Sequence, residues 1–144
     1  MPTQPRPEQM QAFLEKAPEG AVTMLNLLKF REKAVYADGR ETDLSGAEAY
    51  GLYGAAVTKI IERFGGQFIW GGACNALVIG DGELEWDTVG IMQYPSLEAF
   101  QGMVGSADYQ AIHVHRDAGL ESQLLVNCLS PEQVAAARAA ANAG

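Results

Sequence analysis

Three residues able to do chemistry near neutral pH fall together in "QAIHVHRDAGLESQ" (110–123): His113, His115 and Arg116. An imidazole can take or give a proton at physiological pH, and a guanidinium offers a permanent planar fork to a carboxylate or enolate oxygen. The chemistry depends on the backbone. Residues two apart share a face in a strand, whereas on a helix they lie about 200° apart and cannot grip one metal ion. Ser106 can cap a helix here, Tyr109, Ile112, His113 and Arg116 recur at helical spacing, and Gly119 stands where a helix C-cap belongs. The stretch therefore reads as helix, which argues against a shared metal. His113 then falls between Tyr109 and Arg116 on one stripe, and His115 lies nearer Asp108, Ala111 and Ala118. The same cations would also complement the negative end of the helix dipole, so a purely structural role stays open.

A second candidate is Asn26, a lone amide inside the apolar run "AVTMLNLLKF" (21–30). A buried amide must find partners or cost about 1 to 3 kcal/mol, so Asn26 is either a strut or a ligand contact. Tyr50, Tyr53, Trp70, Trp86, Tyr94 and Tyr109 are available either to line an aromatic cavity or to fill the core. Asp81, Glu83, Glu85 and Asp87 cluster at a turn without an oxygen-ligand motif, and no metal site is expected. There is no P-loop, G-x-G-x-x-G or G-x-S-x-G, which removes support for nucleotide-dependent and hydrolase-elbow chemistry.

The elements that must hold these residues follow from periodicity and punctuation. A short helix is expected from Glu8 to Ala17, a first strand over 21–30, and a long charged connection over 31–44, of the kind that often serves as a lid. The Ser45/Glu48 capping box opens a helix over 46–64 that Gly65 and Gly66 end. "QFIWGGACNALVIG" (67–80) and "LEWDTVGIMQY" (84–94), around "DGE", suit two strands of a tight hairpin. Ser96 and Ser106 cap two further helices, "LESQLLVNCL" (120–129) is a fourth strand, and Ser130-Pro131 starts an alanine-rich tail helix. The order βαββαβ with an extra helix at each end predicts an α+β, ferredoxin-like domain with a four-stranded antiparallel sheet. One domain spans 1–144, with a core of about 21–128, an N-terminal helical extension over 1–20 and a C-terminal tail over 130–144. Helices cover one face of such a sheet, and a second copy of the chain is expected on the other.

Composition narrows the partners. The 144 residues, 48% hydrophobic, suffice for one core, and a net charge of −8 opposes binding to nucleic acid or anionic membranes. No apolar run approaches the roughly 20 residues of a membrane helix, and "MPTQPRPEQM" lacks the features of a signal peptide, so a cytoplasmic protein is expected. Cys74 and Cys128 support neither a disulfide framework nor zinc.

"VTMLNLLKFRE", "LSGAEAYGLYG", the glycine pairs at 65–66 and 71–72, "EWD" (85–87), "YPSLEAF" (94–100), "ADYQA" (107–111) and "HRDAGLESQLL" (115–125) together resemble the long form of the domain of unknown function 1330 family. The resemblance covers roughly 21–128. It implies a ferredoxin-like fold pairing into a dimeric α+β barrel, and it supplies no reaction. Its most site-like pattern is a His-Arg pair, matched by His115 and Arg116, with the first-strand Asn matched by Asn26; His113 has no counterpart. The expectation is a homodimer whose pocket takes a small, partly apolar acid without a nucleotide, by proton transfer or by cofactor-free oxygenation or isomerisation. His115 and Arg116 are the expected catalytic pair, and Asn26, Tyr50, Tyr109 and Trp86 the expected ligand contacts. No cofactor is expected. The competing readings are a dimeric module that sequesters a ligand or haem, and a His-Arg clamp at a dimer interface.

Overall fold

A computed structural model describes residues 3–143, so residues 1, 2 and 144 of the expected extension and tail lie outside the described residues. The chain runs α1 (Pro7–Lys16), β1 (Val22–Phe30), α2 (Gly46–Arg63), β2 (Gln67–Ala73), β3 (Thr88–Tyr94), α3 (Leu97–Gly105), α4 (Ala107–Gly119), β4 (Leu120–Cys128) and α5 (Pro131–Ala143). The sheet order is β2-β3-β1-β4 with every neighbouring pair antiparallel, which is the ferredoxin-like arrangement.

The helices start where the sequence says they must. Ser45 and Glu48 form the reciprocal box on α2, Ser96 Oγ accepts from the Ala99 amide, and Ser106 Oγ accepts from the Tyr109 amide. The apolar stripe of α2, Tyr53, Val57, Ile60 and Ile61, packs with Phe100, Met103 and Tyr109 on Val22, Met24 and Tyr94 of the sheet. Alternation along β1 then sends Thr23, Leu25 and Leu27 to the opposite face, where the registers set them beside Ile91, Leu124 and Val126. Helix α1 buries no residue completely, yet Phe13 meets Phe100 edge-on at 5.9 Å.

The tight hairpin expected between the second and third strands is not formed. Strand pairing stops at Ala73 and Thr88, and residues 74–87 leave the sheet as a long excursion in which Val78 and Ile79 are 88% and 91% exposed. Asp87 anchors the end of the ladder: its carbonyl accepts from the Cys74 amide at 2.9 Å, its amide donates to the Leu28 carbonyl at 2.8 Å and its carboxylate accepts from the Phe30 amide at 2.8 Å. Beyond it "ALVIG" has strand propensity but no ladder to join.

Gly119 has a different role from the expected left-handed cap. The residue after α4 is Leu120, with φ −87°, and Gly119 is not among the positive-φ glycines. It faces Gly46 instead: a Cβ on Gly119 would lie 2.9 Å from the Tyr50 amide nitrogen, and one on Gly46 would lie 2.7 Å from the Gly119 carbonyl oxygen. Two glycines let α2 and α4 meet backbone to backbone. The 31–44 connection is laid on this pair, with the Val35 amide bonded to Ala118 O and the Ala34 amide to Leu44 O, both 3.0 Å. Among the described residues no helix is long and apolar enough to cross a membrane.

Candidate functional site

Between the helix layer and the sheet lies a cavity of about 560 Å³, and a neighbouring one of about 240 Å³ sits under α1 and residues 3–5. The two share Met24, Phe100, Arg116 and Gln123 in their walls. The larger is floored by β1, β3 and β4 and roofed by α2 and α4, so Asn26, Gln123, Tyr50, Tyr53, Tyr109 and Arg116 are carried by regular structure, while Gln4 and Pro5 come from the irregular segment before α1.

One wall is aromatic. Tyr50 and Tyr53 tilt against each other at 5.1 Å, Tyr53 meets Tyr109 at 6.1 Å, and the Tyr53 hydroxyl donates to the Tyr109 oxygen at 3.4 Å. Burial pushes the Tyr50 phenol up to about 12, although the Arg116 charge pulls it back part of the way. Burial likewise raises Tyr53, reinforced by its two tyrosine neighbours, and raises Tyr94. These phenols are neutral donors at any physiological pH.

The other wall is a chain of polar groups crossing three strands. Asn26 Nδ2 donates to Gly90 O at 3.2 Å, and Asn26 Oδ1 accepts from Gln123 Nε2 at 2.8 Å. Gln123 Oε1 in turn accepts from Arg116 Nη2, which also donates to the Thr3 carbonyl. Arg116 Nη1 pairs with Asp117 Oδ1 at 2.9 Å, and Asp117 Oδ2 lies 2.9 Å from His113 Nδ1. Gln4 Nε2 adds a second bond to Asp117 Oδ1, also at 2.9 Å. Arg116 is 8% exposed, a buried cation whose only carboxylate among the described residues is Asp117.

Of the residues singled out in the sequence, Asn26, Tyr50, Tyr109 and Arg116 are brought together on this cavity. His115 is elsewhere: its Nδ1 lies 2.8 Å from the Tyr36 hydroxyl, with the rings edge-on at 5.6 Å, and it does not line the cavity. Trp86 sits half-buried in the 74–87 excursion and does not line it either. The sequence points to His113 without giving it a role in the site, and it does not single out Asp117 or Gln123. Their signals were present: His113 stands on the Tyr109/Arg116 stripe, Asp117 is four residues beyond His113, and Gln123 is a polar residue on an apolar strand.

The sequence profile of a domain of unknown function, number 1330, matches residues 35–127. The chain belongs to the domain of unknown function 1330 family. Among solved structures, this family member is similar to a protein of unknown function from Rhodopseudomonas palustris, with 35% identity and a TM-score of 0.78 over 89% of this chain and 97% of that one. The methylated form of that protein matches at 38% identity and a TM-score of 0.77, over 89% and 95% of the two chains. A variant of SnoaB, a cofactor-independent oxygenase from Streptomyces nogalater, matches at 13% identity with a TM-score of 0.51 over 77% and 93%, a likeness of fold alone. Curated proteins hold no match to this chain.

Proposed function

We propose that this protein binds a small, partly apolar acid in the 560 Å³ cavity and acts on it without a nucleotide, by moving a proton. The observation that carries this reading is Arg116: a buried guanidinium on a cavity wall, facing tyrosine rings and methionines. A buried cation is costly unless an anion meets it, and Asp117 meets only one edge of the fork. On the other edge Nη2 is met by two neutral oxygens, those of Thr3 and Gln123, and a ligand carboxylate or enolate would replace the Thr3 carbonyl with a charge. Asn26 and Gln123 orient the polar end, while Tyr50, Tyr53 and Tyr109 receive the apolar body. No nucleotide motif accompanies these groups, which is why proton chemistry that needs only side chains is favoured.

The same reading includes a second copy of the chain and a cytoplasmic setting. Trp70, Leu124 and Val126 are 58%, 43% and 43% exposed, and the registers group them with Leu25, Leu27 and Ile91 on the face the helices leave bare. An apolar sheet face of this kind needs cover, and an identical face is self-complementary.

Native mass spectrometry of the freshly purified protein tests both parts. A dimer carrying additional small-molecule mass, lost in an Arg116→Lys variant whose circular dichroism is unchanged, is the expected result. A bare monomer overturns the pairing, and retained mass in Arg116→Lys overturns Arg116 as the anchor.

A further inference from the structure

His113 and Asp117 stand one helical turn apart on α4, and the carboxylate is held from three sides. Asp117 Oδ2 takes His113 Nδ1 at 2.9 Å, while Oδ1 takes Arg116 Nη1 and Gln4 Nε2, both at 2.9 Å. A carboxylate on Nδ1 fixes the proton there and leaves Nε2 with a bare lone pair. That lone pair lies 3.5 Å from Arg116 Nη1, a long contact, and His113 lines the cavity. The Tyr109 ring packs on the imidazole at 5.5 Å and limits its rotation. Nucleophile and base sites are recognised by this order of parts: a basic nitrogen facing the cavity, a carboxylate behind it, and an oxyanion donor beside it.

We infer that His113, oriented by Asp117, is the group that takes and returns a proton in this cavity, from the carbon next to the carbonyl of a keto or enol acid. The inference rests on the acid-binding reading above and adds the base and the substrate class. The carbon–hydrogen bond breaks as Nε2 accepts the proton, and the bonding pair moves into a carbon–carbon double bond, leaving the negative charge on the carbonyl oxygen. Arg116 Nη1, next to Nε2, stabilises that oxygen. The imidazolium, balanced by Asp117, exchanges its proton with solvent and then returns a proton to the oxygen or to a carbon. The net change is a tautomerisation or isomerisation, with no oxidant, reductant or co-reactant.

Asp117 is a positioning residue and His113 the reacting one, so two measurements separate the roles from a merely structural ion pair. The first needs no ligand: ring-nitrogen NMR of His113 at pH 8 is expected to show the Nδ1–H form, and Asp117→Asn to relax it toward the Nε2–H form. The second uses phenylpyruvate, following deuterium uptake at its methylene carbon by proton NMR and its binding by calorimetry. The native protein is expected to accelerate exchange by roughly 100-fold or more, the usual scale of general base catalysis. His113→Gln is expected to fall to the buffer rate while its Kd stays within about threefold of native, since binding is assigned to Arg116. An Nε2–H form with Asp117 intact overturns the inference, as does full exchange in His113→Gln or binding without exchange in the native protein. Absence of any phenylpyruvate binding to the native protein instead overturns the acid-binding reading, and the base assignment with it.

Discussion

Tyr36 and His115 meet at 2.8 Å, hydroxyl to Nδ1, and this bond fastens the 31–44 connection to α4 away from the cavity. Tyr36 is 5% exposed, and the Arg40 guanidinium lies over its ring, 4.6 Å from the ring centre. The pair therefore clamps a connection that its length alone would mark as a lid. Tyr36→Phe removes one hydrogen bond and keeps the packing. It is expected to cost about 1 kcal/mol in urea unfolding and to speed amide exchange over residues 33–40. Unaltered exchange there would mean that the Val35 and Ala34 backbone bonds hold the connection without the clamp.

The position of His115 shows what the sequence carried and what it did not. Caps and periodicity placed α4 and its neighbours because those signals are local: Ser106 must bond a free amide whatever packs on the helix. Which stripe of α4 faces the sheet is decided by tertiary packing. The His113 stripe carries Tyr109 and Ile112 and the His115 stripe Asp108, Ala111 and Ala118, yet the family resemblance favours His115, because its His-Arg pair matches there and it has no counterpart for His113. The Gly46–Gly119 crossing makes the choice by setting the rotation of α4 against α2, and its partners are 73 positions apart. The strand excess over 74–87 has the same origin. Propensity in "ALVIG" is local, whereas where the ladder ends depends on long-range bonds such as that of Asp87 to Phe30. Asn26 was legible because a lone amide in an apolar strand must have a partner; that the partner is Gln123 was not.

Gln123 is the joint of the polar wall, accepting from Arg116 and donating to Asn26. Replacing it with Leu leaves Asn26 Oδ1 and an Arg116 N–H unpaired, and a loss of about 1 to 3 kcal/mol is expected. Asn26→Leu combined with Gln123→Leu removes both ends of the 2.8 Å bond, so the double variant should lose less than the sum of the singles. A double-mutant cycle by urea denaturation measures this coupling. Strict additivity would mean that the amide pair contributes nothing as a pair.

The tyrosine wall sets an upper pH limit on stability. Tyr50 is raised to about 12 by burial, and Tyr53 and Tyr94 are raised as well, so unfolding lets each phenol ionise at its ordinary value near 10. The unfolded chain then binds fewer protons than the folded one above that value. Stability from these groups is fully present below about pH 10 and falls as pH rises from 10 toward 12. Phenolate absorbance at pH 11 should therefore show the folded protein lagging the urea-unfolded chain by most of three of its five tyrosines. Equal absorbance would mean that water fills the cavity well enough to solvate the phenolates.

The N-terminal segment competes with any acid for the buried cation. Thr3 gives its carbonyl to Arg116 Nη2, and Gln4 holds the segment in place through its 2.9 Å bond to Asp117. A ligand carboxylate on the same N–H has to expel Thr3, so its measured affinity is reduced by whatever keeps the segment seated. Gln4→Ala removes one of those bonds, on an exposed side chain that also borders the cavity, and leaves Arg116, Asn26 and the tyrosines in place. A net hydrogen bond of about 1 kcal/mol corresponds to roughly a fivefold change in an equilibrium constant. Gln4→Ala is accordingly expected to bind phenylpyruvate up to about fivefold more tightly by calorimetry, with the gain arising from the free protein. Equal or weaker binding would show that the segment is part of the liganded state, closing over the acid instead of standing in for it.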